Sequence, residues 1–437
     1  MIAGRKNKYE LLYLWYFIYM SSKILWDKIP IVFEAIFILS MAYEALRFFN
    51  NLFGTGLKKE WFLAMLFALF IVVNAAIHDT AKEFVRSMYE YVFYIFPMCA
   101  FIRNRKRINI FKCLKILTIW GAVISGLSWY EYMTRHYLLK DLSFGGHILN
   151  VGSYGFRSAV FTRSYLSHGM ILGILALVAI YLWCDTKRKY WLFIGLFEFA
   201  SIITTGSRGP LVATAVALAL FYYLDTFYIK KSRRRKDKFR LCVLILTIVF
   251  FAIMLNPIES ADSFLTYYIY RIQSVFNWKG DAGNVGRLLI WRNAINEMFL
   301  KAPILGVGPS KTGSWTIGTL GVTESGVLRR LCEFGIVGFV IFYSFMFNIL
   351  KGSIKSLKRL PVKLRNEMVL WLAIFIAIFI NDFTVQTTEE IMISFWWWIS
   401  MGGIYYLKNV VPKNSMCDMS NNAVEMTYEK NSLYNEC

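Results

Sequence analysis

The chain has 437 residues, 57% of them hydrophobic and 18% charged, with a formal net charge of +21. A soluble protein of that length divides into several domains and carries more charge on its surface. Here the apolar residues come in runs of about 20, the length that crosses a hydrocarbon core of about 30 Å. A set of separate soluble domains is therefore excluded, and one all-α, polytopic membrane domain is expected. Nucleic acid, the usual reading of a strongly basic chain, is not expected as a partner. The basic residues sit in short segments between apolar runs, as positive-inside topology and anionic lipid on the cytoplasmic leaflet require.

The chain opens Met1-Ile2-Ala3-Gly4-Arg5-Lys6 and becomes apolar from Tyr9. No small-residue cleavage site follows, so this reads as a retained first helix. Hydropathy predicts about 12 transmembrane helices, at 9–27, 29–49, 60–78, 84–102, 109–132, 165–183, 190–206, 209–229, 239–256, 326–350, 367–385 and 390–410. The basic segments Arg5–Lys8, Lys58–Lys59, Arg103–Arg107, Lys187–Lys189, Lys230–Lys238 and Lys351–Arg365 fall at alternate connections. All of them then lie inside, and both termini are cytoplasmic. The expected division is a membrane domain over 1–410, holding a large extracytoplasmic loop at 257–325 between helices 9 and 10, and a polar tail at 411–437. A second long outer loop spans about 133–164. No internal repeat is visible. The seven cysteines show no CxxC and no Cys/His metal spacing, so free thiols and no metal are expected.

Several arginines fall on the side where the topology rule makes them exceptional: Arg135, Arg157, Arg163, Arg208, Arg271, Arg287 and Arg292. Arg329 and Arg330 follow near the outer end of the tenth helix. Arginine's planar fork suits phosphate, so an outer cavity lined with arginines would hold a lipid-linked diphosphate. The plainer alternative is pairing with lipid headgroups or nearby acids. Arg208 sits in Thr205-Gly206-Ser207-Arg208-Gly209-Pro210, at the expected turn between two helices. Ser207 can cap the second of them, and Pro210 is tolerated in its first turn. That helix end favours an anion, to which Arg208 adds a full charge.

The large loop carries Gly286-Arg287-Leu288-Leu289-Ile290-Trp291-Arg292 and continues to Phe299-Leu300, an amphipathic helix pattern with Arg287 and Trp291 on one face. Ala302-Pro303-Ile304-Leu305-Gly306-Val307-Gly308-Pro309-Ser310-Lys311-Thr312 resembles a phosphate-binding loop only in part. Ser310 stands where the glycine before lysine belongs, and no strand precedes it. It is read as a glycine-rich turn. Thr323-Glu324-Ser325-Gly326 then lead into a helix that continues through Glu333-Phe334-Gly335-Ile336-Val337-Gly338. Glu324 could take a proton from a sugar hydroxyl, or serve only as an acid near a helix start. Arg329 and Arg330 could equally pair with Glu333.

The order Gly-Ser-Arg-Gly, Gly-Arg-x-x-x-Trp, Pro-Ile-Leu-Gly-Val-Gly and Glu-Ser-Gly…Glu-Phe-Gly-Ile-Val-Gly resembles the O-antigen polymerase and ligase family of bacterial polysaccharide assembly (Wzy-type). The resemblance implies a GT-C-like, metal-independent membrane glycosyltransferase of the bacterial inner membrane, working without a cofactor. Its expected partners are undecaprenyl-diphosphate-linked oligosaccharides, the lipid bilayer and a chain-length regulator. Arg208, Arg287 and Glu324 are then the expected catalytic residues. Arg157, Arg163, Arg292, Arg329, Arg330 and Trp291 are the expected substrate contacts. Trp278, Trp291 and Trp315 could stack on sugars or anchor the membrane interface.

The chain departs from the ligase pattern where ligases tend to have histidine followed by asparagine just before the helix at Gly326. Thr-Glu-Ser stands there, which favours a polymerase over a ligase and leaves Asp382, Glu389 and Glu390 as alternative bases. His168 is a further candidate, although a lone histidine at a helix start is more often structural. A lipid-linked oligosaccharide flippase is the alternative of another class. It expects ionisable residues along a central path, and Glu34, Glu44 and Glu198 offer it some support.

Overall fold

The computed structural model describes residues 2–22, 30–55, 58–139, 156–162, 164–230, 273, 282–312 and 323–409. Among these the chain is all-helical. The elements are α1 (Ile2–Ser21), α2 (Pro30–Thr55), α3 (Lys59–His78), α4 (Ala81–Ser87), α5 (Ile95–Asn104), α6 (Ile110–Thr134) and α7 (Tyr165–Thr186). They continue with α8 (Lys189–Ser201), α9 (Arg208–Leu224), α10 (Ala282–Lys301), α11 (Gly326–Leu350), α12 (Ser353–Ser356), α13 (Val362–Thr384) and α14 (Ile391–Asn409). Every predicted helix within the described residues has a helical counterpart. The predicted helix at 239–256, Arg163, Arg271, Trp278, Trp315 and the tail 411–437 lie outside them.

Six helical stretches are long and apolar enough to cross a membrane: 59–78, 110–134, 165–186, 208–228, 326–356 and 362–384. This is the helix set of an integral membrane protein. Polar side chains cap the starts of three of these helices. Asn109 accepts from Lys112 N at 3.2 Å, Ser164 from Leu166 N at 3.2 Å and Ser325 from Leu328 N at 3.3 Å, which satisfies amides that a helix start leaves unpaired. The helix α7 is the axis. It packs against α6, α8, α9 and α13, and 83% of its most apolar window is buried, against 33% for α3. The outer helices instead expose Leu69, Val73 and Ile77 on α3, Ile119 and Val123 on α6, and Phe193 and Leu196 on α8. Such faces suit lipid and would be aggregation-prone in water.

The basic turns gather at one end. Arg105 grips Glu367, its Nε 2.9 Å from Oε1. Lys408 donates to the carbonyls of Asn348 and Ile349 at 2.9 and 2.8 Å, and Lys58 lies over Tyr405. Glu44 pairs with Arg103 at 3.0 Å. The four described cysteines, Cys99, Cys113, Cys184 and Cys332, are free and buried.

Two of the departures from plain helices shape the cavity end. The predicted helix at 84–102 is split into α4, a π-helical turn at Met88–Val92, and α5. The wider turn shifts the helical phase and brings Glu90 and Tyr91 against α11, where Glu90 Oε2 lies 2.7 Å from Arg329 and the Tyr91 hydroxyl donates to Glu333. The second difference is a kink in α11 at Gly335, with φ 60 and ψ −170.

That kink explains two sequence motifs at once. The turn 303–308 lies against the broken turn of α11. Val307 N donates to Cys332 O at 3.0 Å and Gly308 N to Glu333 O at 3.2 Å. In return Ile336 N donates to Pro303 O at 3.0 Å and Val337 N to Ile304 O at 3.1 Å. Pro-Ile-Leu-Gly-Val-Gly and Glu-Phe-Gly-Ile-Val-Gly are thus two halves of one backbone clasp. A Cβ on Gly306 would fall on the Glu333 carbonyl, and one on Gly335 would fall on the Gly306 amide. Lys311, the residue that made this stretch look like a phosphate loop, is held by Glu83 at 2.7 Å and Asp79 at 3.8 Å.

Gly306→Ala, with φ +77 and backbone in its way, should cost at least about 2 kcal/mol. Gly126→Ala, which meets nothing within 4 Å in the middle of α6, should gain up to about 1 kcal/mol from helix propensity. Thermal unfolding of the full chain in detergent compares the two.

Candidate active site

At the end opposite the basic turns, the N-terminal ends of α7 and α9, the flank of α10, the residue before α11 and the turn between α13 and α14 enclose a cavity of about 580 Å³. Arg157, Arg208, Arg287 and Glu324, which lie far apart in the chain, all line it.

Arg157 is seated by a polar cluster that sequence reading missed. Glu131, fully buried at the end of α6, accepts from Leu138 N, Ala159 N and Val160 N at 3.0 Å each and from Ser158 Oγ at 2.9 Å. One carboxylate thereby ties both described ends of the first long loop to the helix. Ser158 N donates to Thr204 O at 3.0 Å, fixing the same segment to the 3-10 turn Ile202–Thr205 ahead of Arg208. Arg157 then lies with its guanidinium 4.4 Å from the Tyr165 ring centroid. Its Nε is buried with no hydrogen-bond partner among the described residues. The available signal for Glu131 was a carboxylate at the end of an apolar helix next to a long loop, since such groups are costly unless used.

His168 belongs to this support and does not line the cavity. It is fully buried, and its Nε2 lies 3.0 Å from Ser128 Oγ, which also contacts Ser158 Oγ at 3.0 Å and Thr204 Oγ1 at 2.6 Å.

Ser207 occupies the cap position of α9 but makes no side-chain cap bond. Its hydroxyl turns back to the carbonyls of Tyr165 and Thr205 at 3.4 and 3.3 Å. The expected cap is therefore absent, and the positive end of α9 meets the cavity at Ser207, Arg208 and Gly209. Across the cavity Arg287 Nε pairs with Glu324 Oε2 at 2.8 Å. Glu324 has a left-handed backbone, φ 50, and the two side chains are 30% and 41% exposed. So solvated a pair contributes about 0–1 kcal/mol, and an anionic ligand can take Arg287 from it at little cost.

Four expected substrate contacts lie elsewhere. Arg329 is buried among carboxylates, 2.9 Å from Glu333, 2.7 Å from Glu90 and 3.5 Å from Glu389. Arg330 is buried on Asp382 at 2.6 Å, donates to Thr388, and stacks over Trp397 and Phe342. Both hold the fold together from behind the cavity, because a buried guanidinium must spend its donors on partners. Trp291 packs with Ala294, Met298, Leu328 and Cys332, attaching α10 to α11. Arg292 points to the exposed side of α10. Asp382 is engaged by Arg330 and Thr388 and is not part of the cavity lining.

The remaining wall is Thr384, Val385, Gln386, Thr387, Glu389 and Glu390. Glu389 is 5% exposed, 3.1 Å from Arg86 and 3.5 Å from Arg329. Burial lifts its carboxyl above the usual carboxylate range, against the pull of Arg329 and Arg86.

Residues 193–343 match the family model of the O-antigen ligase domain. This match supports placing the chain in the O-antigen polymerase and ligase family, whose members are glycosyltransferase-like enzymes acting on polysaccharides. It spans less than half of the chain and includes Arg208, Arg287 and Glu324, while Arg157 and the 384–390 turn lie outside it. A comparison with characterised proteins found no match.

Glu131→Ala leaves three amides without this acceptor, that of Val160 buried, and each such loss away from water costs about 1–3 kcal/mol. It should lower the unfolding midpoint far more than Glu131→Gln, whose amide oxygen still accepts. Thermal unfolding of both variants in detergent checks the order.

Proposed function

We propose that the chain is a polysaccharide polymerase that moves a growing glycan from undecaprenyl diphosphate onto a lipid-linked repeat unit. The observation that carries this reading is the meeting of Arg157, Arg208 and Arg287 in one cavity at the mouth of a membrane-embedded bundle. Attack at the anomeric carbon expels a diphosphate, and its negative charge grows in the transition state. Preorganised guanidinium groups and the uncapped end of α9 stabilise that charge where it develops, so the reaction proceeds metal-independently. Arg287 exchanges Glu324 for phosphate oxygen as the donor binds. The chain folds as a GT-C-like domain of about 12 helices over 1–410, with the cavity on the extracytoplasmic face of a bacterial inner membrane and the tail 411–437 inside.

A ligase that moves the finished glycan to another acceptor is the second reading, favoured by the description of the matched family. Thr323-Glu324-Ser325 at the position where ligases tend to carry histidine weighs toward the polymerase, and no histidine lines the cavity among the described residues. A flippase is the less supported class. Glu44 is paired with Arg103 at the basic end, and Glu198, buried on α8 beside Gly121, has no hydrogen-bond partner among the described residues and forms no chain of ionisable groups with either there.

Deleting the gene and sizing lipid-linked and surface glycans distinguishes the three. Single exported repeat units are expected. Long chains left on the carrier would mean a ligase, and units trapped on the cytoplasmic face a flippase. Arg208→Ala and Arg287→Ala should each reproduce the deletion while keeping normal abundance in the membrane, with turnover reduced by about 10²–10³.

A further inference from the structure

The cavity lining is mixed in charge. Its cations come from Arg157, α9 and α10, while another part of the lining is one short turn, 384–390, with Thr384, Gln386, Thr387, Glu389 and Glu390. A diphosphate is repelled from that wall and sorts to the arginines. An uncharged sugar finds there what its hydroxyls need: carboxylate, amide and hydroxyl acceptors within one cavity. We propose that the 384–390 turn is the subsite for the acceptor sugar and that Glu389 takes the proton of the attacking hydroxyl. This rests on the diphosphate reading of the arginine wall, and it replaces Glu324 as the base.

The surroundings of the two carboxylates separate them. Glu324 is bound to Arg287, the group that the diphosphate recruits, so its carboxylate is engaged with the leaving-group site. Glu389 lines the cavity from the 384–390 turn. It belongs to a buried network in which three carboxylates, Glu90, Glu333 and Glu389, share two arginines, Arg86 and Arg329. Glu333 is further satisfied by the Tyr91 hydroxyl and by Thr312 N and Oγ1 at 3.1 and 2.9 Å. Glu90 takes close contacts at 2.7 Å from both arginines. Glu389 has the longer contacts, 3.1 and 3.5 Å, and is the member of the network that reaches the cavity. The excess basicity of the network is thus placed where a substrate can use it, and its raised proton affinity brings it nearer to working pH.

In the step itself the acceptor O–H proton passes to the Glu389 carboxylate as the oxygen bonds to the anomeric carbon. The bond from that carbon to the diphosphate oxygen breaks, and its electron pair leaves with the diphosphate toward Arg157, Arg208 and Arg287. Inversion follows from direct displacement. Glu389 later returns its proton to water.

The test uses the full chain reconstituted in lipid, with lipid-linked oligosaccharide extracted from the deletion strain as substrate and undecaprenyl diphosphate as the binding probe. Glu389→Gln should lower turnover by about 100-fold or more and leave binding of undecaprenyl diphosphate unchanged. The wild-type rate should fall on the acid side along a one-proton limb that Glu389→Gln lacks. Glu390→Gln should raise the acceptor KM with little change in kcat. Near-normal turnover in Glu389→Gln, with the loss appearing in Glu324→Gln instead, would return the base to Glu324. If Glu389→Gln does not accumulate in the membrane, Glu390→Gln decides, and an unchanged acceptor KM overturns the subsite. Should Arg208→Ala keep full binding of undecaprenyl diphosphate, the reading of the arginine wall itself fails, whichever base is used.

Discussion

The burial of Arg329 among Glu90, Glu333 and Glu389 is the constraint around which this end of the bundle is organised. A charge away from water is tolerated only when its partners surround it, and removing one partner of a buried pair costs about 3–5 kcal/mol. The three carboxylates come from the π-helical turn after α4, from α11 itself and from the turn before α14. Meeting one guanidinium fixes those elements against each other. The π turn delivers Glu90 and Tyr91. Glu333, held by Tyr91 and Thr312, sets the place where α11 breaks at Gly335, and the glycine clasp with 303–308 follows from that break. The same network positions Glu389 at the cavity wall.

A parallel device without a cation holds the other side. Glu131 collects three backbone amides and a hydroxyl and so anchors the segment that carries Arg157. Hydrogen bonds to a carboxylate are stronger than neutral ones, which suits a loop that must hold a guanidinium in place near the membrane surface. Two buried carboxylate centres thus support the cavity, and the first of them reaches its wall through Glu389. Arg287 is held more loosely. Its pair with Glu324 is solvated and weak, a placeholder that a multiply charged ligand displaces.

The cavity is wider than the matched domain. The stretch 193–343 contains α8 to the middle of α11, and hence Arg208, Arg287, Glu324 and both halves of the clasp. Arg157 and the 384–390 wall come from either side of it. A chemistry that joins a charged donor to an uncharged acceptor needs both walls, so the working unit of this fold is the whole bundle.

The sequence by itself determined the solvent, the helices and the list of ions. Runs of about 20 apolar residues force helices in a bilayer, because backbone groups there have no other partners, and arginines in the connections at this end were visible as exceptions to charge topology. It also made Arg157, Arg208, Arg287 and Glu324 candidates, since Arg157, Arg208 and Glu324 sit in loops or at a helix start and Arg287 lies on an amphipathic stretch of the large loop. Tertiary structure alone decided which ions face the cavity. Arg329 and Arg330 carry the same chemistry as Arg287, and nothing in their local pattern tells a buried structural guanidinium from one that waits for phosphate. That distinction depends on carboxylates up to a few hundred residues away, Glu90 and Glu389 for Arg329 and Asp382 for Arg330. Helical periodicity assigns a side chain to a face, but only packing says what lies against that face.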